Sequence, residues 1–228
     1  MSEAEQILGE PTPIPAAPPL PKTAEVVAYL AARMCHDFIS PASAIVSGLD
    51  LLEDPSAQDM RDDAMSLIAD SGRKLADLLA FTRIAFGASA SAQTFDPREL
   101  EKLAQGIYAH IRAELDWQIE APTLAKTAAR TVLNLAQLAG AVLPRGGTVS
   151  VRVTDIDQIT NIVVEASGTS ARLRPEVLAG LQGEAMNEGL HGHWVQAYYV
   201  HLVLQDADGQ VSAEVGEEKV RFVAGIPH

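Results

Sequence analysis

The sequence predicts two architectures in series. A long antiparallel helical hairpin comes first and pairs with a second copy into a four-helix bundle; an α+β sandwich follows. Three observations carry this reading. Apolar residues between positions 23 and 52 recur at helical spacing. A second helix-length pattern follows the Asp54, Pro55, Ser56 turn, with Asp54 as cap and Pro55 in the first turn. Beyond Gly87 the pattern changes to short alternating runs punctuated by glycine and Asp-Gly turns.

Residues 1–22 hold Pro11, Pro13, Pro15, Pro18, Pro19 and Pro21 among several acids, and read as a flexible, partly extended arm. The hairpin spans 23–87. Its first helix carries Val27, Leu30, Met34, Phe38, Ile45, Leu49 and Leu52 at steps of three, four, four, seven, four and three. That is a bundle seam with a period near 3.5. The second helix runs from about Ser56 to Ala85, with Met60, Ala64, Leu67, Ile68, Leu75, Leu78, Leu79 and the stretch from Thr82 to Phe86 as its apolar positions. Two helices of roughly 30 residues, each about 45 Å long, cannot bury both seams against one another alone. A homodimer covers them; the other possibility is that the second domain does.

Small residues from Gly87 to Ala92 form a linker, assigned to 88–94, and the second domain occupies 95–228. Asp96 and Pro97 cap a helix reaching about Ala113, and a short strand covers Trp117 to Glu120. A helix from Ala125 to Val142 turns Val132, Leu135 and Ala136 inward, with Leu143 beyond it. Gly146 and Gly147 turn the chain into strands Thr148–Thr154 and Thr160–Glu165. Helices over Leu178–Gln182 and Trp194–Asp206 precede an Asp208-Gly209 turn and strands Val211–Val215 and Val220–Ala224. Helices on one side of a mixed sheet make the sandwich.

Composition excludes several functions. The formal net charge of −13 argues against nucleic-acid binding and against an anionic membrane surface. It favours a partner with a positive docking face. One cysteine makes neither an internal disulfide nor a cysteine zinc site, which fits a reducing cytoplasm. No apolar run reaches membrane-spanning length, and the N-terminus lacks a basic-then-apolar signal.

His36 is the candidate reactive residue, with Asp37 beside it. It lies about 200° around the helix from Met34 and so faces away from the seam. Its own stripe runs through Tyr29, Arg33, Ser40, Ser43, Ser47 and Asp50. The three serines below the ring leave a flat polar surface that a partner could approach, so Tyr29, Arg33, Ser40, Ser43 and Ser47 are the candidate docking residues. Pro41 removes one backbone donor and opens carbonyls near the imidazole. A lone surface histidine on an amphipathic helix is usually a solvated side chain; the stripe, the proline and the seam together favour function here. Cys35 points about 100° from His36 and reads as a small filler. His191 and His193, near Glu188, lack a third metal ligand and read as structural. Asp59, Asp62 and Asp63 read as a solvated acidic helix start.

The residues from His36 to Pro41 resemble the H box of sensor histidine kinases: histidine, acid, apolar residue, a variable position, Thr/Asn/Ser, proline. The stretch from Cys35 to Ser56 is more specifically similar to the ChpT-type histidine phosphotransferases of alphaproteobacterial phosphorelays. Similar stretches occur at Gly72–Leu75, Ala85–Ser91 and Arg172–Leu181. The resemblance implies a dimerisation and phosphotransfer hairpin followed by a degenerate form of the kinase ATP-binding domain. The departures from the kinase pattern all disfavour ATP. Leu138 stands where the kinase N box needs a Mg²⁺-binding asparagine, four residues after Asn134. Ala166 replaces the adenine-reading aspartate and Ser170 a glycine, while the bulky Trp194 follows directly on what would be the glycine-rich lid.

The function expected from this resemblance is phosphoryl shuttling between receiver-domain aspartates through His36, with Asp37 orienting the ring. The chain then needs no cofactor, because Mg²⁺ sits on the receiver. The expected donor is the receiver of a CckA-type hybrid kinase, and the expected acceptors are CtrA-like and CpdR-like response regulators. Two rivals are an ATP-dependent sensor kinase and a receiver-docking scaffold that is never phosphorylated.

Overall fold

The computed structural model describes residues 20–87, 92–185 and 191–228. The proline-rich arm up to Pro19, most of the linker, and Glu188 with its neighbours lie outside the described residues.

Helix α1 spans Thr23–Glu53 and continues through Pro41, which is buried. The Lys22 amide donates to the Glu25 carboxylate at 2.8 Å and closes the helix start. At its end the Asp54 carboxylate accepts from the Ser56 amide at 2.8 Å and from the Ser56 hydroxyl at 2.7 Å. Those bonds lower the Asp54 pKa from its ordinary value. The expected helix from Ser56 is displaced. Pro55–Met60 form a 3-10 turn in which Ala57 is non-helical, and helix α2 covers only Arg61–Ala85. The Asp54–Ser56 cap tightens the chain into that turn.

The two helices meet most closely at Gly48. A Cβ there would lie 2.6 Å from Ile68 Cγ1 and 3.1 Å from the Ala64 carbonyl oxygen. The expected seam divides in two. Leu30, Met34, Phe38, Ile45 and Leu52 are half-buried, whereas Val27 and Leu49 are 60% and 48% exposed. A second stripe of α1, Cys35, Ile39, Val46 and Leu49, stays exposed, as do Met65, Ala69, Ala76 and Leu79 on α2. Both stripes step by three, four or seven residues.

Strand β1 (Thr94–Phe95) leads into helix α3 (Pro97–Tyr108), capped by Asp96 through the Arg98 amide at 2.8 Å. Strand β2 covers Ala113–Gln118, β3 Leu124–Ala125, helix α4 Lys126–Ala141, β4 Gly147–Ile156 and β5 Ile159–Ser167. Helices α5 (Pro175–Leu181) and α6 (His191–Gln205) precede β6 (Gln210–Gly216) and β7 (Lys219–Pro227). The five-stranded sheet has the order β2-β4-β5-β7-β6; β2 runs parallel to β4 and every other pair is antiparallel. Alternation sorts its faces. Val149, Val151, Ile162, Val164, Phe222 and Ala224 are buried in the core, while Ser150, Arg152, Glu165 and Arg221 occupy the opposite side. The β4–β5 turn carries Asp157 and Gln158 at φ 51° and 62°, the twist a two-residue hairpin requires. At Gly147, φ is +139° and a Cβ would fall 2.3 Å from the Ser167 carbonyl oxygen, so only glycine fits.

The hairpin is seated on this sandwich. Phe81 and Ala85 of α2 belong to the main core with Leu100, Val132 and Leu133. Val26, Tyr29 and Leu30 of α1 pack on Trp194, Val195 and Tyr198 of α6, where Trp194 and Tyr198 stack at 4.6 Å. Two side chains of α4 close the end of α2. Asn134 donates to the Ala85 carbonyl at 3.0 Å, and Arg130 donates to that of Gly87. The Ala85 carbonyl is among the ones a helix end leaves unsatisfied, and Gly87 follows the C-cap residue Phe86.

Candidate functional site

His36 projects from the middle of α1 with its side chain 85% exposed. Its Nδ1 lies 3.4 Å from Asp37 Oδ1, the outer limit of hydrogen bonding. Asp37 is held more firmly from the other side. Arg33, one turn back on α1, donates from Nε to Asp37 Oδ2 at 3.0 Å. The same guanidinium donates to the Gly192 carbonyl at 2.7 Å and stands 3.5 Å from His193 Nδ1, both at the start of α6. Burial first, and then the Arg33 charge, lower the His193 pKa from its ordinary value. A neutral His193 accepts from Arg33 at Nδ1.

Beside the imidazole the hairpin and the sandwich leave a cleft of about 300 Å³. Arg33, His36, Asp37 and Ser40 line it from α1, Lys74 and Leu78 from α2, and His110, Gln137 and Gly140 from the second domain. His110 Nε2 meets Asp77 Oδ2 of α2 at 3.0 Å, a second polar link between the two parts. Lys74 is half-buried and faces the cleft, with no acid partner among the described residues. The lining is thus mixed: Leu78, Ile107 and Ile111 give it an apolar floor, among two histidines, a carboxylate and two cations.

The sequence-predicted stripe is divided by the fold. His36, Asp37, Arg33 and Ser40 share the cleft. Ser43 and Ser47 are exposed further along α1, and Tyr29 is half-buried against the Trp194 cluster. Sequence reasoning missed Lys74, His110 and Gln137, whose spacing from His36 carries no local signal. It found His193 only as a structural histidine. Among the described residues no group of three or more His, Cys, Asp or Glu side chains could hold a metal ion. No helix among them is long and apolar enough to cross a membrane.

The residues that correspond to the kinase boxes are packed rather than open. Leu138 and Trp194 are buried, and Ala166 sits in the core face of β5. Gln196 of α6 donates to Asn134 at 3.2 Å and to Gln137 at 2.6 Å, so α6 is bonded directly onto α4.

A family model described as the histidine phosphotransferase C-terminal domain matches residues 97–219. Protein phosphotransferase ChpT of Brucella abortus (strain 2308) is 34% identical over 198 residues, which cover 86% of this chain and 93% of that protein. The chain belongs to the ChpT-type histidine phosphotransferases. A solved bacterial phosphotransferase superposes at a TM-score of 0.81 with 32% identity, over 92% of this chain and all of its own. The catalytic domain of histidine kinase ThkA aligns at a TM-score of 0.48 and 16% identity, over 59% of this chain and 93% of its own. In this phosphotransferase the family-model match begins at the first residue of α3, and the hairpin carrying His36 precedes it.

Proposed function

We propose that the chain relays phosphoryl groups between receiver-domain aspartates through His36, without drawing them from ATP. The observation that carries this is an almost fully exposed imidazole at the mouth of an interdomain cleft, backed by a carboxylate that is itself held by an arginine. With Nδ1–H facing Asp37, the Nε2 lone pair is the nucleophile. It attacks the phosphorus of an aspartyl phosphate in line; the N–P bond forms, the acyl P–O bond breaks, and the electron pair leaves with the receiver carboxylate. Asp37 balances the charge the ring gains. The reverse sequence hands the group to a second receiver. Mg²⁺ bound by the receiver supplies the larger neutralising charge.

The partners that family resemblance supports are the receiver of a CckA-type hybrid kinase as donor and CtrA-like and CpdR-like regulators as acceptors, in the cytoplasm. Docking uses Ser40, Ser43 and Ser47 together with the cleft wall of the second domain. A homodimer is supported by the exposed stripes Ile39, Val46 and Leu49 on α1 and Met65 and Leu79 on α2, which a second hairpin would cover. The packed α4–α6 contact supports the absence of an ATP site.

The deciding measurement is phosphoryl transfer from a purified phosphorylated receiver to the full chain. The parent takes up label and His36→Ala does not; equal labelling of the two removes His36 from the mechanism. Tight Mg²⁺–ATP binding in a titration would favour the sensor-kinase reading instead.

A further inference from the structure

We propose that Arg33 is a positioning residue that ties the orientation of the His36 ring to the seat of the second domain on the hairpin. This rests on His36 being the phosphoryl acceptor. Arg33 spans two parts of the chain that are 159 positions apart, with one planar group. Its Nε bond to Asp37 Oδ2 and its Nη1 bond to the Gly192 carbonyl belong to the same rigid fork. A shift of the α6 start therefore turns the guanidinium, and the guanidinium carries the Asp37 carboxylate with it. The other oxygen of that carboxylate faces His36 Nδ1. The sequence of contacts is Gly192 and His193, Arg33, Asp37, His36.

The bland alternative is that Arg33 simply steadies the transferring phosphoryl group. Geometry disfavours it, because Arg33 is already bonded to Asp37 and Gly192. Lys74, which has no acid partner among the described residues, lines the same cleft and is a cation available for that role. A second alternative is that Arg33 only glues the two domains. Glue needs the Gly192 contact alone; the Nε bond to Asp37 has no part in holding α6. The 3.4 Å separation between His36 and Asp37 is long enough that the ring is not fixed by that contact by itself. An oriented carboxylate is what biases the ring toward Nδ1–H and leaves Nε2 open.

The test uses the full chain, a phosphorylated receiver domain as donor, and long-range ¹H–¹⁵N spectra of the histidine rings, with His36 assigned from His36→Gln. Arg33→Lys keeps the charge but not the fork. It is expected to lower the transfer rate at saturating receiver roughly 10-fold, with the half-saturating receiver concentration within about twofold of the parent. His193→Ala leaves every residue that touches His36 in place; it is expected to slow transfer in the same manner, by a smaller factor. In both variants the His36 spectrum moves from mainly Nδ1–H toward a tautomer mixture. Parent rates and the parent tautomer in folded Arg33→Lys and His193→Ala overturn the proposal. So does a change confined to receiver affinity, which would make Arg33 a docking residue. If Arg33→Lys fails to fold, His193→Ala alone decides. Failure of the parent to accept phosphoryl at His36 counts against the relay function, and that outcome is separate from any result on Arg33.

Discussion

Replacing Asn134 by alanine isolates what holds the hairpin to the sandwich. The side chain is fully buried and makes three polar contacts: to the Ala85 carbonyl at 3.0 Å, to the Arg130 carbonyl at 2.9 Å, and from Gln196 at 3.2 Å. The three do not weigh equally. The Arg130 carbonyl keeps its helical partner within α4, and Gln196 keeps Gln137 at 2.6 Å. The Ala85 carbonyl, in the last turn of α2, has no other donor among the described residues. Leaving it buried and unbonded costs about 1–3 kcal/mol. The void left by the carboxamide adds about 1 kcal/mol, since the close-packed core relaxes only in part. Asn134→Ala should therefore lower the unfolding free energy by about 2–4 kcal/mol, read as a shift in urea midpoint at unchanged slope. A loss below about 1 kcal/mol would refute the reasoning, because it would mean that solvent or a neighbour already satisfies Ala85.

Two further outcomes test other parts of the structure. Val46→Asp, on the exposed stripe of α1, should convert the proposed dimer to monomer in sedimentation at micromolar concentration without unfolding the chain; a monomeric parent would remove the dimer altogether. The lowered His193 pKa gives a pH dependence with a definite sign. Between the lowered folded value and the ordinary 6.5 the unfolded chain binds more protons, so this histidine's contribution is complete above 6.5 and is lost as pH falls through the folded value. Arg33 and Arg174 face the ring and oppose its protonation; Glu176 and Asp37 favour it. The urea midpoint of the parent should fall on acidification below pH 6.5 more steeply than that of His193→Gln, and parallel curves would contradict the assignment.

Much of this fold is legible in local pattern. Asp96 with Pro97 announces α3, the alternation of Val149, Val151 and Val153 announces β4, and Asp208 with Gly209 announces the start of β6. Such features depend on residues within a turn or two of each other. The misses have the opposite character. Strands β1 and β3 have two residues each and exist only because they pair with one another. The 3-10 turn after Asp54 is decided by one side-chain cap against a helical pattern that runs straight through it. The same division holds at the site. His36 and Asp37 stand out because ring, acid and proline are neighbours, and helical spacing finds Arg33 and Ser40. Nothing near Arg33 in sequence signals that Gly192 receives its other bond. Likewise the substitution at Leu138 is visible in sequence, but the use of Asn134 to close α2 is not, because its partner lies 49 positions away.

The shared helix α2 has a consequence for any molecule that enters the cleft. Phe81 and Ala85 lie in the sandwich core while Ala64 and Ile68 pack on α1, so one rod belongs to both bodies. The cleft beside His36 is thus assembled before anything arrives. Binding there freezes few internal motions of this chain, and the entropy lost on association falls mainly on the incoming partner. Recognition can then be fast and weak without becoming loose, which suits the proposed transfer between two receivers in turn.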